Sequence, residues 1–524
     1  MKDMYESDVL VIGSGIAGCC CALKLAELGV KVTLINKMDN ETESNTKYAQ
    51  GGIVGKSDSD SSELLMKDIL TAADRLGNYE AIEMLVKEGP KLVLDFLINY
   101  IGVEFTKDES GNLQYTSEAV HSKRRVLFVM DHTGSEIIKK LINRVKEHPN
   151  IKFLTNHTSI DLITTGHHSN DPLVVYKDNR CLGAYVFDNV EKKVNTFFAK
   201  KTVLATGGVG NLFLHTSNPS CATGDGLAMA YRAGTEIINA EYVQFHPTTL
   251  FHRDANRFLI TESLRGEGAK LKNLKGEYFM EKYDPMKELA SRDIVSRAIY
   301  EEISQPDRSY VLLDLSPIIR KGIDLKHRFP TIYNKCMELG IDITKNHLPV
   351  VPAAHYFCGG IKVDLHGCSS LLNLYAIGEV SCTGVHGANR LASVSLLEGL
   401  VWGIKAAENI YQTISSEDVS YYNNIGSWKD VKSSLEVDPV LIFQDWLTIR
   451  ATMWNYTGIV RTNRRLTRAN ADLNYLSHRI ENFYRESSLT KELIELRNGI
   501  LSAIIIVKAA LRNNKSLGCH FRKD

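Results

Sequence analysis

Three glycines near the start of the chain have the spacing of a phosphate-binding turn. Gly13, Gly15 and Gly18 follow a short apolar run at residues 9–12 and precede apolar residues with helical spacing. In a strand–turn–helix unit such glycines let backbone N–H groups approach a pyrophosphate, and the helix N-terminus adds partial positive charge. The sequence therefore predicts a dinucleotide site, formed by Gly13, Ser14, Gly15, Ile16, Ala17 and Gly18.

The residues after the second predicted strand narrow the choice of dinucleotide. A chain that binds NAD usually has an acidic residue there, which binds the ribose. This chain has Asn36 and Lys37 instead. The pattern argues against a simple NAD enzyme and leaves FAD, or an unusual mode of binding adenosine.

Three later segments favour a flavin. Residues 204–208 predict a strand that ends in a glycine turn, and residues 374–379 an apolar strand followed by Gly378 and Glu379, an acid that suits a ribityl hydroxyl. Residues 393–399 predict the start of a helix, whose N–H groups would stabilise the negative charge of a reduced flavin. We therefore predict FAD as the cofactor.

Hydrophobic spacing predicts the elements that must position these segments. The chain opens as a βαβ unit, with a strand at residues 9–12, a buried helix that ends at Gly29 and a strand at residues 30–35. An amphipathic helix is predicted at residues 68–97. Antiparallel strands are predicted from 174 to 198, with turns near 177–180 and 189–193, and further strands at 203–205, 361–363 and 374–377.

The two groups of nucleotide-binding segments are far apart in sequence, so an inserted domain must separate them. Between residues 237 and 350 the chain has short mixed elements, several prolines and many charges. After about residue 415 it is polar and helical, with long helices predicted at 441–453 and 493–511. We predict an α/β fold, with the dinucleotide-binding domain at 1–236 and 352–415, the inserted domain at 237–351 and a helical domain at 416–524.

Composition excludes several classes of protein. The formal net charge is zero, so nothing favours nucleic acid or an anionic membrane as a partner. The basic run at 461–468 is interpreted as a solvated helix face with salt bridges. Ten cysteines are present without a C-x-x-C pair, which argues against a metal site and fits a reducing cytoplasm. No signal peptide or membrane-spanning run is predicted.

Six more segments, taken in order, resemble a known family. They are residues 48–53 (YAQGGI), 224–226 (GDG), 244–248 (QFHPT), 264–269 (LRGEGA), 352–356 (PAAHY) and 386–390 (HGANR). They resemble the succinate dehydrogenase/fumarate reductase flavoprotein family, whose fold is a Rossmann-type FAD-binding domain interrupted by an α+β capping domain and followed by a helical domain. The resemblance implies flavin contacts at Ser14, Ala17, Lys37, Tyr48, Ala49, Gln50, Gly51, Gly52, Ile53, Asp225, Glu379, Ser395 and Leu396.

The same resemblance implies a site that binds a dicarboxylate at both ends. His355 and Arg390 would bind the carboxylate beside the reacting carbon, and His246, Thr261 and Glu262 the distal one. Arg292 resembles the proton-transfer arginine of the family, relayed through Arg265 and Glu262. Taken singly, a histidine such as His246 is more often a packed core residue, and an arginine such as Arg292 half of a surface ion pair.

The chain most resembles those family members that oxidise L-aspartate to iminoaspartate, by hydride transfer from Cα to flavin N5. Glu118 lies in a segment similar to their lid, where an acid can pair with the substrate ammonium. Reoxidation by oxygen, with formation of hydrogen peroxide, or by fumarate is implied, as is the first step of NAD biosynthesis toward quinolinate. The alternatives are a soluble fumarate reductase or succinate-oxidising flavoprotein, and a flavin-binding scaffold without catalysis.

Further expectations follow from the resemblance. Relatives that tether FAD covalently have a histidine five residues before the glutamine of the A-Q-G-G motif, where this chain has Asn45, so FAD should be noncovalent. The protein is expected to be a cytoplasmic monomer or homodimer. Transfer of its product to quinolinate synthase is compatible with this reading.

Overall fold

The computed structural model describes residues 4–255, 258–304, 308–417, 419–429 and 436–524. The strands are β1 (Met4–Ile12), β2 (Val32–Ile35), β3 (Ile53–Val54), β4 (Tyr115–Thr116), β5 (Val126–Leu127), β6 (Ile151–Leu154), β7 (His157–Thr164), β8 (Cys181–Asp188), β9 (Lys193–Leu204), β10 (Ile237–Ile238), β11 (Val243–Leu250), β12 (Lys270–Lys272), β13 (Val311–Asp314), β14 (Leu348–Phe357), β15 (Gly360–Lys362), β16 (Leu374–Ala376) and β17 (Ser381–Cys382). The helices are α1 (Ile16–Glu27), α2 (Ser62–Ala72), α3 (Tyr79–Leu92), α4 (Thr133–Glu147), α5 (Thr165–His168), α6 (Asp225–Arg232), α7 (Glu262–Glu267), α8 (Arg292–Ile303), α9 (Ser316–Arg320), α10 (Leu325–Arg328), α11 (Pro330–Glu338), α12 (Val394–Thr413), α13 (Pro439–Thr457), α14 (Asn463–Glu486) and α15 (Lys491–Arg512).

A seven-stranded sheet forms the base of the molecule, in the order β6-β2-β1-β9-β8-β7, with β16 also paired to β9. Strands β6, β2, β1, β9 and β16 run parallel, so their carboxyl ends meet at one edge. In this arrangement Ile12 pairs with both Ile35 and Leu204, and Leu204 pairs with Ala376. Ligands of open α/β sheets bind at this edge. The predicted fold class is confirmed.

The buried helix predicted after the first strand is α1, and it packs against α12. Cys19, Cys20 and Cys21 on α1 are fully buried, because both helices cover the apolar face of the sheet. The predicted helix start near residue 393 is also confirmed, since α12 begins at Val394. The N-termini of α1 and α12 thereby both lie beside the predicted dinucleotide site.

Two predictions of secondary structure were wrong in detail. The helix expected at 68–97 is two helices, because the chain turns at Asp74 and Arg75, which have positive φ, and Asn78 then caps α3. The strands expected from 174 begin only at Cys181, since the residues before them form a short 3-10 helix, Pro172–Tyr176, capped by Asp171. The strand expected at 203–205 is the end of β9.

A second, four-stranded antiparallel sheet covers the edge where the parallel strands end. Its order is β11-β14-β13-β12, and β11 carries His246 opposite Ala353 of β14. Helices α7 and α8 pack on this sheet around a separate apolar core. Strand β14 crosses the domain boundary predicted between residues 351 and 352, so the chain returns to the first domain within a strand.

The last three helices, α13 to α15, pack together and bury a further apolar core against β11 and β14. The interpretation of the basic run at 461–468 was wrong for Arg461, which is wholly buried just before α14. Its guanidinium donates to the carbonyl oxygens of Thr457, Gly458 and Glu241, so it ties the end of α13 to the turn before β11. Arg468 is exposed, as expected. Among the described residues, no helix combines the length and the apolar character that crossing a membrane requires.

Candidate functional site

A cleft of about 1630 Å³, open at its mouth, lies between the parallel sheet and the four-stranded sheet. Nearly all candidate residues line it. They are Gly13, Ser14, Gly15, Ile16, Ala17, Lys37, Tyr48, Ala49, Gln50, Gly51, Gly52, Glu118, Asp225, His246, Thr261, Glu262, Arg292, His355, Glu379, Arg390, Ser395 and Leu396. The structure thus brings together residues that are up to about 380 positions apart in the chain.

Three candidates lie behind the wall of the cleft. Gly18 packs on the turn itself, because a Cβ there would lie 1.9 Å from the carbonyl oxygen of Gly13. Ile53 is fully buried in β3 and pairs with Leu127. Arg265 is buried beneath Glu262 and donates to the carbonyl oxygen of Glu288 at 2.7 Å. These residues support the site without facing it.

The glycine turn between β1 and α1 leaves room for a large anion. Gly13 has φ of +111°, and a Cβ there would lie 2.2 Å from the carbonyl oxygen of Ala205. The backbone N–H of Ile16, at the start of α1, donates to Oγ1 of Thr46 at 3.1 Å. The turn therefore presses against β9 on one side and presents the helix N-terminus to the cleft on the other.

Lys37 and Asp225, both predicted to contact the flavin, bind each other. Nζ of Lys37 lies 2.6 Å from Oδ2 of Asp225 and 2.7 Å from Oε1 of Glu495. Nδ2 of Asn498 donates to Oδ1 of Asp225 at 3.0 Å. Helix α15 therefore holds this wall of the cleft in place. Glu495 and Asn498 could not be predicted from the sequence, because both lie in an ordinary helical pattern.

Glu379 lies at the end of β16, where it was predicted to be. Its carboxylate accepts hydrogen bonds from Nδ2 of Asn45 at 2.6 Å and from the N–H of Phe357 at 3.0 Å. Burial raises the pKa of Glu379 to about 7. Asn45, which stands where covalently flavinylated relatives have histidine, is thus an anchor for this acid.

Several buried polar atoms in the cleft have no hydrogen-bond partner among the residues that the structure describes. Such atoms are costly unless a ligand or water satisfies them. They lie along the whole cleft, at Oγ of Ser14, Oδ1 of Asn45, Oε1 of Gln50, Oγ of Ser159, Oγ1 of Thr206 and Oδ1 of Asn218. A long ligand with many hydroxyl, phosphate and amide groups fits this distribution, and FAD is such a ligand. Ser159 and Asn218 were not predicted, whereas Thr206 lies in the segment 204–208 that the sequence assigned to the flavin site.

Two arginines face each other at the end of the cleft near the four-stranded sheet. Nη1 of Arg292 and Nε of Arg390 both donate to Oε1 of Gln244, at 3.0 and 3.3 Å. Nε2 of Gln244 donates in turn to Asn389 and to the carbonyl oxygen of Arg390. Gln244 therefore fixes the separation of the two guanidinium groups. It was noticed in the sequence only as part of the QFHPT segment.

Glu262 connects the arginines of the site. Its Oε2 accepts from Nε of Arg292 at 2.5 Å and lies 3.5 Å from Nη2 of Arg265. Although burial opposes ionisation, the two guanidinium groups lower the pKa of Glu262. The three residues form a continuous chain of charged groups, Arg292–Glu262–Arg265, from the cleft into the second domain.

His246 and His355 flank the arginines, with their ring centroids 5.0 Å apart. Burial and the charge of Arg292 lower the pKa of both imidazoles well below the usual value. Both rings are therefore neutral at neutral pH. Nδ1 of His355 lies 2.7 Å from Oγ of Ser217. Each ring offers a hydrogen bond to a bound anion without adding a charge.

Glu118 is the acidic residue that faces this end of the cleft from the segment between β4 and β5. Burial and the charge of Glu262 raise the pKa of Glu118, while Arg292, Ser393 and Arg390 oppose that rise. The backbone N–H of Ala119 donates to Oε1 of Glu262 at 3.0 Å. The cleft is thus lined by two guanidinium groups, two neutral imidazoles and two carboxylates, with Arg265 behind them, and this arrangement suits a dicarboxylate with a cationic substituent.

The comparisons with known proteins agree with this geometry. The family described as FAD binding domain matches residues 8–396, and the family described as Fumarate reductase flavoprotein C-term matches residues 447–524. The structure of an E. coli quinol fumarate reductase superposes with a TM-score of 0.86 at 26% identity, covering 100% of this chain and 92% of that chain. Fold and site therefore define an FAD-dependent flavoprotein of the fumarate reductase class.

Relatives with higher sequence identity assign the chain to one family within this class. The L-aspartate oxidase of Acinetobacter baylyi is 44% identical over 100% of this chain and 94% of its own length. The chloroplastic L-aspartate oxidase 2-a of Nicotiana tabacum is 39% identical over 99% of this chain and 81% of its own length. The chain belongs to the L-aspartate oxidase family.

Proposed function

We propose that this enzyme oxidises L-aspartate to iminoaspartate with FAD as cofactor, the first step of NAD biosynthesis toward quinolinate. The observation that carries the proposal is the buried carboxylate of Glu118 beside a site that otherwise suits a plain dicarboxylate. The family to which the chain belongs supports the same reaction.

Arg390 and His355 bind the carboxylate next to the reacting carbon in this proposal. Burial and the charge of Arg292 lower the pKa of Arg390 to about 10, so the guanidinium stays charged at neutral pH. Its position over the ring of Tyr356, 4.4 Å from the centroid, limits its movement. A fixed guanidinium can bind both oxygens of one carboxylate, which orients the substrate as well as attracting it.

His246, Thr261 and Glu262 form the distal end of the site. The side chain of Thr261 accepts from the N–H of Ser263 at the start of α7 and donates to Oγ of Ser263 at 3.5 Å. A hydrogen bond that long is weak, so an anion can take over the hydroxyl proton. Because the ring of His246 is neutral, it can donate a hydrogen bond to the distal carboxylate without adding another positive charge beside the arginines. Holding both ends of the substrate presents Cα–H in a near-attack geometry, where positioning lowers the barrier.

Glu118 completes substrate recognition by pairing with the ammonium group. FAD, when bound, would supply the acceptor for the hydride of Cα. The ammonium loses one proton, to Glu118 or to water, as the hydride leaves, because only the lone pair of the neutral amine can form the imine. Arg292 faces the same space and is joined through Glu262 to Arg265, which supports a role for these three residues in moving a proton when fumarate is the substrate.

The finer expectations are part of the proposal. Reoxidation is by oxygen, with formation of hydrogen peroxide, or by fumarate, and the relation to fumarate reductases supports the second acceptor. FAD is bound noncovalently, since Asn45 rather than histidine meets Glu379. The protein is cytoplasmic, monomeric or homodimeric, and compatible with product transfer to quinolinate synthase. The domain division at residues 236, 351 and 415 is also proposed. The separate apolar cores of the two sheets support an inserted domain, although β14 continues through the boundary at 351.

A soluble fumarate reductase or succinate-oxidising flavoprotein is the second candidate, because it would share every carboxylate contact. The deciding experiment is anaerobic bleaching of the flavin absorbance, with L-aspartate and succinate added separately. Rapid bleaching by L-aspartate, with hydrogen peroxide formed when air returns, supports the oxidase. Bleaching by succinate alone would assign the chain to the second candidate. Failure to bind FAD would contradict both.

A further inference from the structure

Ser393 lies directly before α12 and does not cap it. A serine at this position usually accepts a hydrogen bond from the first turn of its helix, but Ser393 makes no such bond. Instead its Oγ donates to Oε2 of Glu118 at 2.5 Å, and both side chains are buried. The hydroxyl thus forms its hydrogen bond with a residue 275 positions away in the chain.

The backbone of Ser393 is held in an uncommon conformation. Its φ is +60°, in the left-handed region that non-glycine residues rarely adopt. The carbonyl oxygen of Ser393 accepts from the N–H of Val54 at 3.2 Å, which fixes this turn against β3. Strained residues persist where the surrounding structure determines them, commonly at ligand sites. Here the turn aims the hydroxyl at Glu118 rather than at the helix.

The other oxygen of Glu118 lies against Gly51. A Cβ at Gly51 would be 2.2 Å from Oε1 of Glu118, so any larger residue would displace the carboxylate. The backbone next to Glu118 is fixed as well, because Ala119 donates to Glu262. The carboxylate is therefore confined between the hydroxyl of Ser393 on one oxygen and the bare Cα of Gly51 on the other.

We propose that Ser393 is a positioning residue for substrate selection, which holds Glu118 toward the substrate ammonium and so sets the preference for an amino dicarboxylate over a plain one. The inference rests on the proposed function. Arg292 and Arg390 are the cations that face Glu118 from α8 and from the segment before α12. Without the Ser393 hydroxyl, the carboxylate is free to turn toward them and away from the substrate ammonium, which fumarate lacks.

Two variants of the holoenzyme test the inference. Ser393→Ala removes the hydroxyl and keeps Cβ, whereas Ser393→Gly removes it and also suits a φ of +60°, so a folding defect shared by both is not expected. We expect kcat/KM for L-aspartate to fall about tenfold or more, since a hydrogen bond to a charged group is lost. Fumarate reduction should change less than about threefold. Ser62→Ala, which removes a hydroxyl bonded to the carbonyl oxygen of Val86, is the control.

A pH profile separates positioning from general disturbance. The Ser393 hydroxyl favours the ionised form of Glu118, so its loss raises the pKa of that carboxyl. The charges of Glu262, Arg292 and Arg390, and those of Arg265 and Arg328 behind them, also act on the carboxyl and remain in both variants. The acidic limb of kcat/KM for L-aspartate should therefore move to higher pH in both variants, and the profile for fumarate reduction should not.

The outcomes are distinguishable. Selective loss with L-aspartate, together with the shifted limb, supports the inference. Equal effects on both substrates, or none, would overturn it while leaving the proposed function intact. A wild-type holoenzyme that does not react with L-aspartate would overturn the proposed function and this inference with it.

Discussion

Nε of Arg292 donates to Oε2 of Glu262 at 2.5 Å, in a place where both side chains are almost wholly buried. Two further guanidinium groups, of Arg265 and Arg390, lie close by. A single carboxylate therefore balances much of the positive charge that the substrate site concentrates. We therefore expect stability and catalysis both to depend on this pair.

We expect Glu262→Gln to destabilise the protein by about 3 kcal/mol or more, because removing one partner of a buried ion pair leaves the other charge uncompensated. Chemical denaturation measures the change. Glu109→Gln, at an exposed turn, should alter stability by less than about 0.5 kcal/mol. A Glu262 variant as stable as the wild type would contradict the importance of the pair.

Gln244→Leu should raise KM for L-aspartate about tenfold, because the arginines on either side lose the acceptor that fixes their separation. kcat should change less than KM if the residue acts on binding. Steady-state kinetics on the purified holoenzyme check this, with Gln444→Leu on the exposed face of α13 as the control. An unchanged KM would show that Arg292 and Arg390 keep their positions without Gln244.

Glu118→Gln keeps the shape of the side chain and removes its charge. We expect kcat/KM for L-aspartate to fall about a hundredfold, since a charge-assisted contact to the ammonium is lost, and fumarate reduction to change far less. The two activities are measured on the same preparation. Equal losses would mean that Glu118 does not recognise the ammonium group.

Glu379 should make the flavin-free protein less stable as the pH rises. Its pKa is about 7 in the folded chain against an ordinary value of 4.5, so the folded state holds the proton more tightly. The resulting stabilisation is complete below the ordinary pKa and is lost as the pH rises to about 7. Thermal unfolding across that range should show this slope, and Glu379→Gln should reduce it. Glu191→Gln should leave it unchanged.

The sequence predicts those parts of the molecule that depend on local pattern. The glycine turn at 13–18, the strand that ends at Glu379 and the helix start near residue 393 are each visible because neighbouring residues define them. The resemblance to a family places His246, Arg292, His355 and Arg390 together. Their predicted roles stay predictions until the variants are measured.

What could not be predicted depends on contacts between distant segments. Arg461 belongs to a basic run, and only the packing of α13 against β11 explains why it is buried. The bond between Ser393 and Glu118 joins residues without any shared local pattern. In the sequence, Asn45 stood out only because it takes the place of a flavin-tethering histidine. Its hydrogen bond to Glu379 is visible only in the structure.

The parallel sheet contains β1, near the start of the chain, and β16, which follows more than 360 residues later. The ribosome therefore synthesises these two strands at very different times. At a synthesis rate of roughly 5–20 residues per second, Ala376 leaves the ribosome roughly 20 to 70 s after Ile12. During that interval Glu379 is not yet available to bind the ribityl chain of the flavin, and α12 is not yet available to cover α1. The nucleotide site therefore cannot complete its folding until β16 and α12 have been synthesised. Until then the apolar surface of α1 is exposed, and we expect chaperones to protect it.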